Sequence, residues 1–229
     1  MNPKIWQNGK LNIRVRKRLI LIAKEFINFL KIDWAKPKDI IFVGSLAGYN
    51  WSKYSDIDLH IIYDFSEIDE NIDFAKNYCD SKKSAWNSSH KNLNIFGYDI
   101  ELYVQDINEV NKSNGVFSIY ENRWKKIPIC NNIKLDKVLI KELSAGLINR
   151  IDKLEDSVNR VDAPGQLNIL KDKIENLYNS IIKGRKESLE ADGEQGVGNI
   201  VFKVLRRTKH LEKLKKLKTL VYDTLNSIS

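Results

Sequence analysis

The chain has 229 residues, of which 42% are hydrophobic and 10% aromatic. That composition supports a buried core and excludes a wholly disordered chain. A formal charge of +8 favours anionic company, whether nucleic acid, nucleotides or an acidic surface. Cys79 and Cys130 are too few for a disulfide framework or a thiolate zinc site. No run reaches the roughly 18 apolar residues needed to cross a bilayer. The short apolar stretch after Lys17-Arg18 is interrupted by Lys24-Glu25, so it does not read as a signal peptide. The expectation is a soluble cytoplasmic protein with no membrane partner.

Val15, Leu19, Ile22, Phe26 and Phe29 recur at helical spacing, while Arg14, Lys17, Arg18 and Lys24 lie mostly off that stripe. Residues 11–30 are therefore expected as an N-terminal amphipathic helix, with Pro37 closing the connection after it. Residues 39–44 form a short apolar run ending at glycine, which suits a buried strand. A polar, aromatic loop follows at 45–55, and residues 56–63 then alternate acid or His with aliphatics, as a second strand does. The spacing predicts a helix over 66–82, with Glu67 and Asp69 favouring its N-terminal end. Residues 92–105 read as a hairpin with Gly97 between its arms, and 116–120 and the residues from Trp124 onward supply further strand. From 135 the pattern is helical, with helices at 135–159, 164–189 and 197–225. Pro164 suits a first helical turn, and Gly193, Gly196 and Gly198 mark the break before the last helix. The change of character near residues 128–135 divides the chain into an α/β core with its N-terminal helix, 1–132, and a basic helical domain, 133–229.

The chemistry concentrates in Ser55-Asp56-Ile57-Asp58-Leu59-His60. Alternation along a strand puts Asp56, Asp58 and His60 on one face and Ile57, Leu59 and Ile61 on the other. Two carboxylates one residue apart lie about 6.5–7 Å apart along the strand and repel unless a cation neutralises them or one is protonated. Magnesium, a hard ion held by a few carboxylates plus substrate phosphates, suits that role, as does manganese. A two-metal site needs ions roughly 3.5–4 Å apart and usually a third carboxylate. Asp99 and Glu101, on one face of the strand that includes Gly97-Tyr98-Asp99-Ile100-Glu101, are both candidates for it. Upstream, Val43-Gly44-Ser45 ends the preceding strand. There glycine allows close approach of a phosphate, and a serine hydroxyl can bind anionic oxygens.

A lone acid-x-acid pair is a weak signal, because acidic pairs on solvated strands are common. The whole order is more specific: aliphatic strand, Gly44-Ser45, a loop of ten residues, Asp56-Ile57-Asp58 on a second strand, then an acid on a third. This order resembles the DNA polymerase β-like nucleotidyltransferase superfamily, over residues 40–105. The resemblance implies an α/β (α+β) palm with a mixed sheet flanked by helices. The resemblance assigns the triphosphate to Gly44 and Ser45; Lys53 and Ser55, in and at the end of the loop, are further candidates for nucleotide contact. It gives the metal ions to Asp56, Asp58 and a third acid. Both Asp99 and Glu101 fit the pattern for that acid, and the tract Glu101-Leu102-Tyr103-Val104-Gln105 is more similar to small phage and bacterial members, which favours Glu101. The implied reaction transfers a nucleoside monophosphate from a nucleoside triphosphate to an acceptor hydroxyl, with Mg2+ or Mn2+ as cofactor.

Other residues carry two readings each. His60 either fills space at the strand or touches a phosphate. Tyr49, Trp51 and Tyr54 either pack the loop down or stack on a base. On the last expected helix, Lys203, Arg206, Arg207, Lys209, Lys213, Lys215, Lys216 and Lys218 accompany one acid, Glu212, within residues 203–218. They form either a solvated face or a phosphate-tracking surface for an RNA or tRNA 3′ end. The segment 193–198 lacks the Lys-Ser or Lys-Thr of a phosphate loop and reads as an interhelical connection. Rival acceptors are a small hydroxylated molecule or a protein hydroxyl, of antibiotic-modifying or toxin type. Rival classes are a glycosyltransferase, which gives Gly44-Ser45 no role, and a non-catalytic nucleic-acid-binding module.

Overall fold

The computed structural model describes residues 1–130, 135–161 and 164–227. The chain divides into two compact units, Met1–Asn132 and Ile133–Ser229. The linker expected near 128–135 lies partly outside the described residues.

The first unit opens with a hairpin that the helical pattern conceals: β1 (Trp6–Gln7) pairs antiparallel with β2 (Lys10–Leu11). Its turn is Asn8-Gly9, with φ of 51° and 75°. Two central residues at positive φ make the two-residue turn that matches strand twist, and Asn-Gly is the pair that tolerates it best. Helix α1 (Ile13–Leu30) follows, capped by Asn12, whose side chain accepts from the Arg14 amide at 2.9 Å. Its buried stripe runs Val15, Leu19, Ile22, Ala23, Phe26 and Leu30, and Lys31 in the left-handed conformation ends it.

The unit's main sheet has six strands in the order β5-β6-β4-β3-β7-β8. These are β3 (Asp39–Val43), β4 (Ile57–Tyr63), β5 (Asn94–Ile95), β6 (Tyr98–Asp106), β7 (Val116–Ser118) and β8 (Arg123–Lys126). β4 and β6 pair in parallel and the other neighbours antiparallel, so the sheet is mixed and the fold is α+β. A parallel pair needs a crossover, and α2 (Ile72–Ser89) lies within it. Ile57, Leu59, Ile61, Ile100, Leu102 and Val104 point to the main core, where they join the α1 stripe and Trp86 of α2. Each such side chain contributes about 1.5–3 kcal/mol by leaving water. Both faces of β3 are buried: Ile40 and Phe42 join this core, and Ile41 and Val43 cluster with Ile62 and Val116 on the other side.

The helix expected over 66–82 forms later in the chain. A short 3-10 turn, Phe65–Glu67, comes first, and α2 starts only after Asn71, whose side chain accepts from the Phe74 amide at 3.1 Å. Asn71 is the capping signal that sets this start. Asn87, near the other end, clamps the outer edge of β6. Its amide nitrogen donates to the Leu102 carbonyl (3.2 Å) and its oxygen accepts from the Leu102 amide (3.3 Å).

The second unit is helical: α3 (Lys137–Asn159), α4 (Pro164–Asp192), α5 (Val197–Arg207) and α6 (His210–Asn226). Ile151, Ile174, Leu177, Leu205, Leu214 and Val221 form its core. The single helix expected over 197–225 is two. Thr208 turns its hydroxyl back to the Val204 carbonyl (3.1 Å), and Lys209 takes a left-handed φ of 62°, which ends α5 and redirects the chain. The segment 193–198 joins α4 to α5 through a 3-10 turn, Gly193–Gln195. Among the described residues, no helix is long and apolar enough to cross a membrane.

Candidate active site

Gly44 leaves β3 with φ 77° and ψ −165°, a conformation open to glycine, and leads into a 3-10 turn, Ser45–Ala47. Register places Val43 opposite Asp58. The Asp58 carboxylate consequently lies over Gly44: a Cβ added there would meet Asp58 Oδ2 at 1.8 Å. Turn and carboxylate fit together only because position 44 has no side chain.

On the other side of β4, Asp58 is in register with Glu101 of β6. Neighbouring strands lie about 4.8 Å apart, and residues directly abreast in a parallel pair share a face, so these two acids are adjacent. Asp99 is on the same face of β6 one pleat earlier, opposite Asn94 of β5. Asp56 falls just ahead of β4 and is half-buried.

The loop after the turn is pinned to it. Ser45 Oγ donates to Ser55 Oγ at 2.8 Å, and the Ser52 amide donates to the same oxygen at 2.9 Å. Ser55 thus ties the loop to Ser45. The three aromatics of the loop differ in burial. Trp51 packs against the main core, while Tyr49 and Tyr54 are exposed, with Lys53 Nζ 4.8 Å from the Tyr54 ring centroid.

Next along the acidic face come His60 and Tyr103, in register and with ring centroids 4.9 Å apart. Gln105 donates its amide nitrogen to the Glu109 carbonyl (3.0 Å), which fixes its oxygen as the acceptor from His60 Nδ1 (2.8 Å). Burial holds His60 below the usual histidine range, the Gln105 bond opposes this, and nearby Lys83 adds to it. Burial, with Glu109 and Asp80 nearby, pushes Tyr103 up to about 12, so its hydroxyl stays protonated.

Among the described residues, no three His, Cys, Asp or Glu side chains form a group that could by itself hold a metal ion. The expected acids thus make no complete protein cage. Magnesium seldom uses one: it takes one or two carboxylates and completes its shell with water and substrate phosphate. Asp58 over the glycine turn and Glu101 abreast of it supply oxygen donors of that kind, so the residues present fit the ion.

A mixed α+β sheet with an acid-bearing strand pair beside a Gly-Ser turn defines a nucleotidyltransferase fold. A family model described as the nucleotidyltransferase domain matches residues 23–145, more than half of the chain, and the chain belongs to this family. The polymerase β-like resemblance implies the same family. No curated protein and no solved structure matches the chain.

One feature of the site region escapes the hydrophobic pattern. The Trp6 indole N–H donates to the Leu46 carbonyl of the turn at 2.6 Å. Its signal in the sequence is Asn8-Gly9, the strongest short-range mark of a hairpin.

Proposed function

We propose that the protein transfers a nucleoside monophosphate from a nucleoside triphosphate to an acceptor hydroxyl, with Asp56, Asp58 and Glu101 as its catalytic carboxylates. The observation that carries this reading is the adjacency of Asp58 to both Gly44 and Glu101. The Gly44-Ser45 turn receives the triphosphate by close backbone approach and the Ser45 hydroxyl. Asp56, Asp58 and Glu101 hold Mg2+ or Mn2+; when bound, the metal neutralises phosphate charge and makes the acceptor oxygen a better nucleophile. The pairing of Asp58 with Glu101 favours Glu101 over Asp99 as the third acid. The acceptor oxygen bonds the α-phosphorus, the bond to the bridging oxygen breaks, pyrophosphate leaves, and the hydroxyl proton passes to solvent. In-line positioning by the turn and the carboxylates supplies much of the rate.

For the acceptor we read a nucleic-acid 3′ end, such as RNA or tRNA, supported by the charge of +8 and by exposed Arg206, Arg207, Lys209 and Lys215. The ion pairs of the second unit favour a second reading. Lys213 bonds Asp152 and Glu155 at 2.9 and 2.7 Å, Lys216 bonds Glu212 at 3.1 Å, and Lys218 bonds Glu175 at 3.4 Å. Cations engaged in this way make a weaker phosphate track, so a small-molecule or protein hydroxyl is the alternative acceptor. Cytoplasmic placement belongs to the same reading, supported by a triphosphate substrate and two free cysteines. The test incubates the protein, Mg2+ and each α-labelled triphosphate with total RNA, a protein extract or a metabolite pool. Label in RNA supports the first acceptor, and label in the other pools the second. No metal-dependent labelling or pyrophosphate release in any pool sinks the enzyme reading and leaves a non-catalytic module.

A further inference from the structure

The matched stretch begins at residue 23, yet a side chain from the preceding hairpin enters the frame of the nucleotide turn. Resting on the proposed triphosphate site, we infer that Trp6 is a positioning residue for it: its indole N–H holds the Leu46 carbonyl and so fixes the Gly44–Ala47 turn in the shape that receives the triphosphate.

Two backbone hydrogen bonds hold the turn from within. Its internal bonds are Ala47 N–H to the Gly44 carbonyl and Gly48 N–H to the Ser45 carbonyl, both 3.2 Å. The 2.6 Å bond from Trp6 is shorter and buried. Together with the Ala47–Gly44 bond it pins the Leu46–Ala47 peptide plane at its carbonyl and at its N–H, which removes the plane's freedom to flip. The same indole stacks on Phe42, two residues before Gly44, at 5.6 Å, so one side chain grips both the strand entering the turn and the turn itself. Trp124 and Phe117 close around it at 4.5 and 5.1 Å. The hairpin is anchored independently at its ends: Asn2 donates to the Tyr98 hydroxyl at 2.7 Å and the Trp124 indole donates to the Gly9 carbonyl at 3.0 Å. Asn2, whose carbonyl also accepts from the Trp6 amide at 2.8 Å, holds the Trp6 strand beside the turn, whereas the Trp124 bond holds only the hairpin tip.

A purely structural tryptophan would lower stability without a selective effect on nucleotide affinity, and Trp124 supplies that comparison. It belongs to the same aromatic cluster and also donates to a backbone carbonyl, but one in the hairpin rather than in the turn. Trp6→Phe and Trp124→Phe are compared in the full chain for thermal stability, for Mg-triphosphate affinity by calorimetry, and for KM and kcat of pyrophosphate release. Losing one buried hydrogen bond to the turn is expected to raise Kd and KM for the triphosphate about fivefold, with kcat within about twofold of wild type. Trp124→Phe is expected to lose similar stability with KM unchanged. Replacing Trp6 with 3-benzothienylalanine, which keeps the ring shape and lacks the N–H, gives the same KM rise should the Phe variant not fold. Unchanged Kd and KM on loss of the N–H, or an equal KM rise in Trp124→Phe, overturns the inference alone. A wild-type protein that binds no triphosphate in the presence of metal overturns both the inference and the reading on which it rests.

Discussion

A methyl group at position 44 would occupy the place of the Asp58 carboxylate. The added Cβ would stand 1.8 Å from Oδ2, on a backbone whose φ of 77° already disfavours a side chain. Gly44→Ala must therefore displace the acid, and a displacement of about 1 Å at a reacting centre can cost about 100-fold in rate. We expect kcat/KM for the triphosphate to fall by about that factor or more; a variant within about threefold of wild type would separate Gly44 from the chemistry. His60 gives a residue-scale prediction in pH. Burial lowers its folded pKa beneath the ordinary 6.5, so the unfolded chain binds the proton more readily. Its contribution to stability is present above 6.5 and is lost as pH falls through the window between 6.5 and the folded value. Urea unfolding at pH values of about 5.5 and 7.5 should show a smaller acid loss in His60→Gln than in wild type, and equal losses would contradict the assignment. In the sequence Asp56, Asp58, Gly44 and Ser45 stand out as candidates through the order of motifs that carries the family resemblance. Period-two alternation puts Asp99 and Glu101 on one face, so spacing leaves both open and only the likeness of the tract after Glu101 to small family members favours Glu101. The register of Asp58 with Glu101 adds to that preference, and register is a property of two strands together.

At the scale of elements, β3 was legible as a continuous apolar run, and β4 and α1 by their apolar periods. Helix α2 began later than expected, since the cap at Asp64 leads only into the short 3-10 turn and Asn71 caps the helix itself. The hairpin of β1 and β2 carried its mark in Asn8-Gly9, but strands of two residues are too short to show alternation. The break between α5 and α6 has no Gly or Pro to announce it, so the sequence reads as one helix. Lys209 takes its φ of 62° between Leu205 and Leu211, both buried in the core of the second unit. A left-handed residue with a Cβ costs roughly 1 kcal/mol relative to glycine. Lys209→Gly is therefore expected to stabilise the protein by about 0.5–1 kcal/mol in denaturant melts, whereas the same change inside a continuous helix would destabilise it by about as much.

For the molecule as a whole, the net charge of +8 overstates the cationic surface of the last two helices. Lys213, Lys216 and Lys218 already bond acids of their own unit, and Lys203 lies 4.0 Å from Glu194. Cations held in this way contribute little to counterion release. If all eight Lys and Arg residues from Lys203 to Lys218 met phosphates of a single strand, log K would fall with log salt at a slope of roughly 6. We expect a slope of about half that or less for single-stranded RNA; a slope near 6 would mean that the ion pairs open and the whole face tracks the backbone. This distinction is not visible in composition, because the partner acids Asp152, Glu155 and Glu175 come from other helices.

The most direct measurement compares pyrophosphate release from Mg-triphosphate in wild type, Asp58→Asn, Glu101→Gln and Asp99→Asn, each shown by circular dichroism to be folded. Adjacent carboxylates on β4 and β6 predict that Asp58→Asn and Glu101→Gln fall by about 1,000-fold or more, while Asp99→Asn stays within about tenfold of wild type. Full metal-dependent turnover in Asp58→Asn, or a larger loss in Asp99→Asn than in Glu101→Gln, would contradict the account.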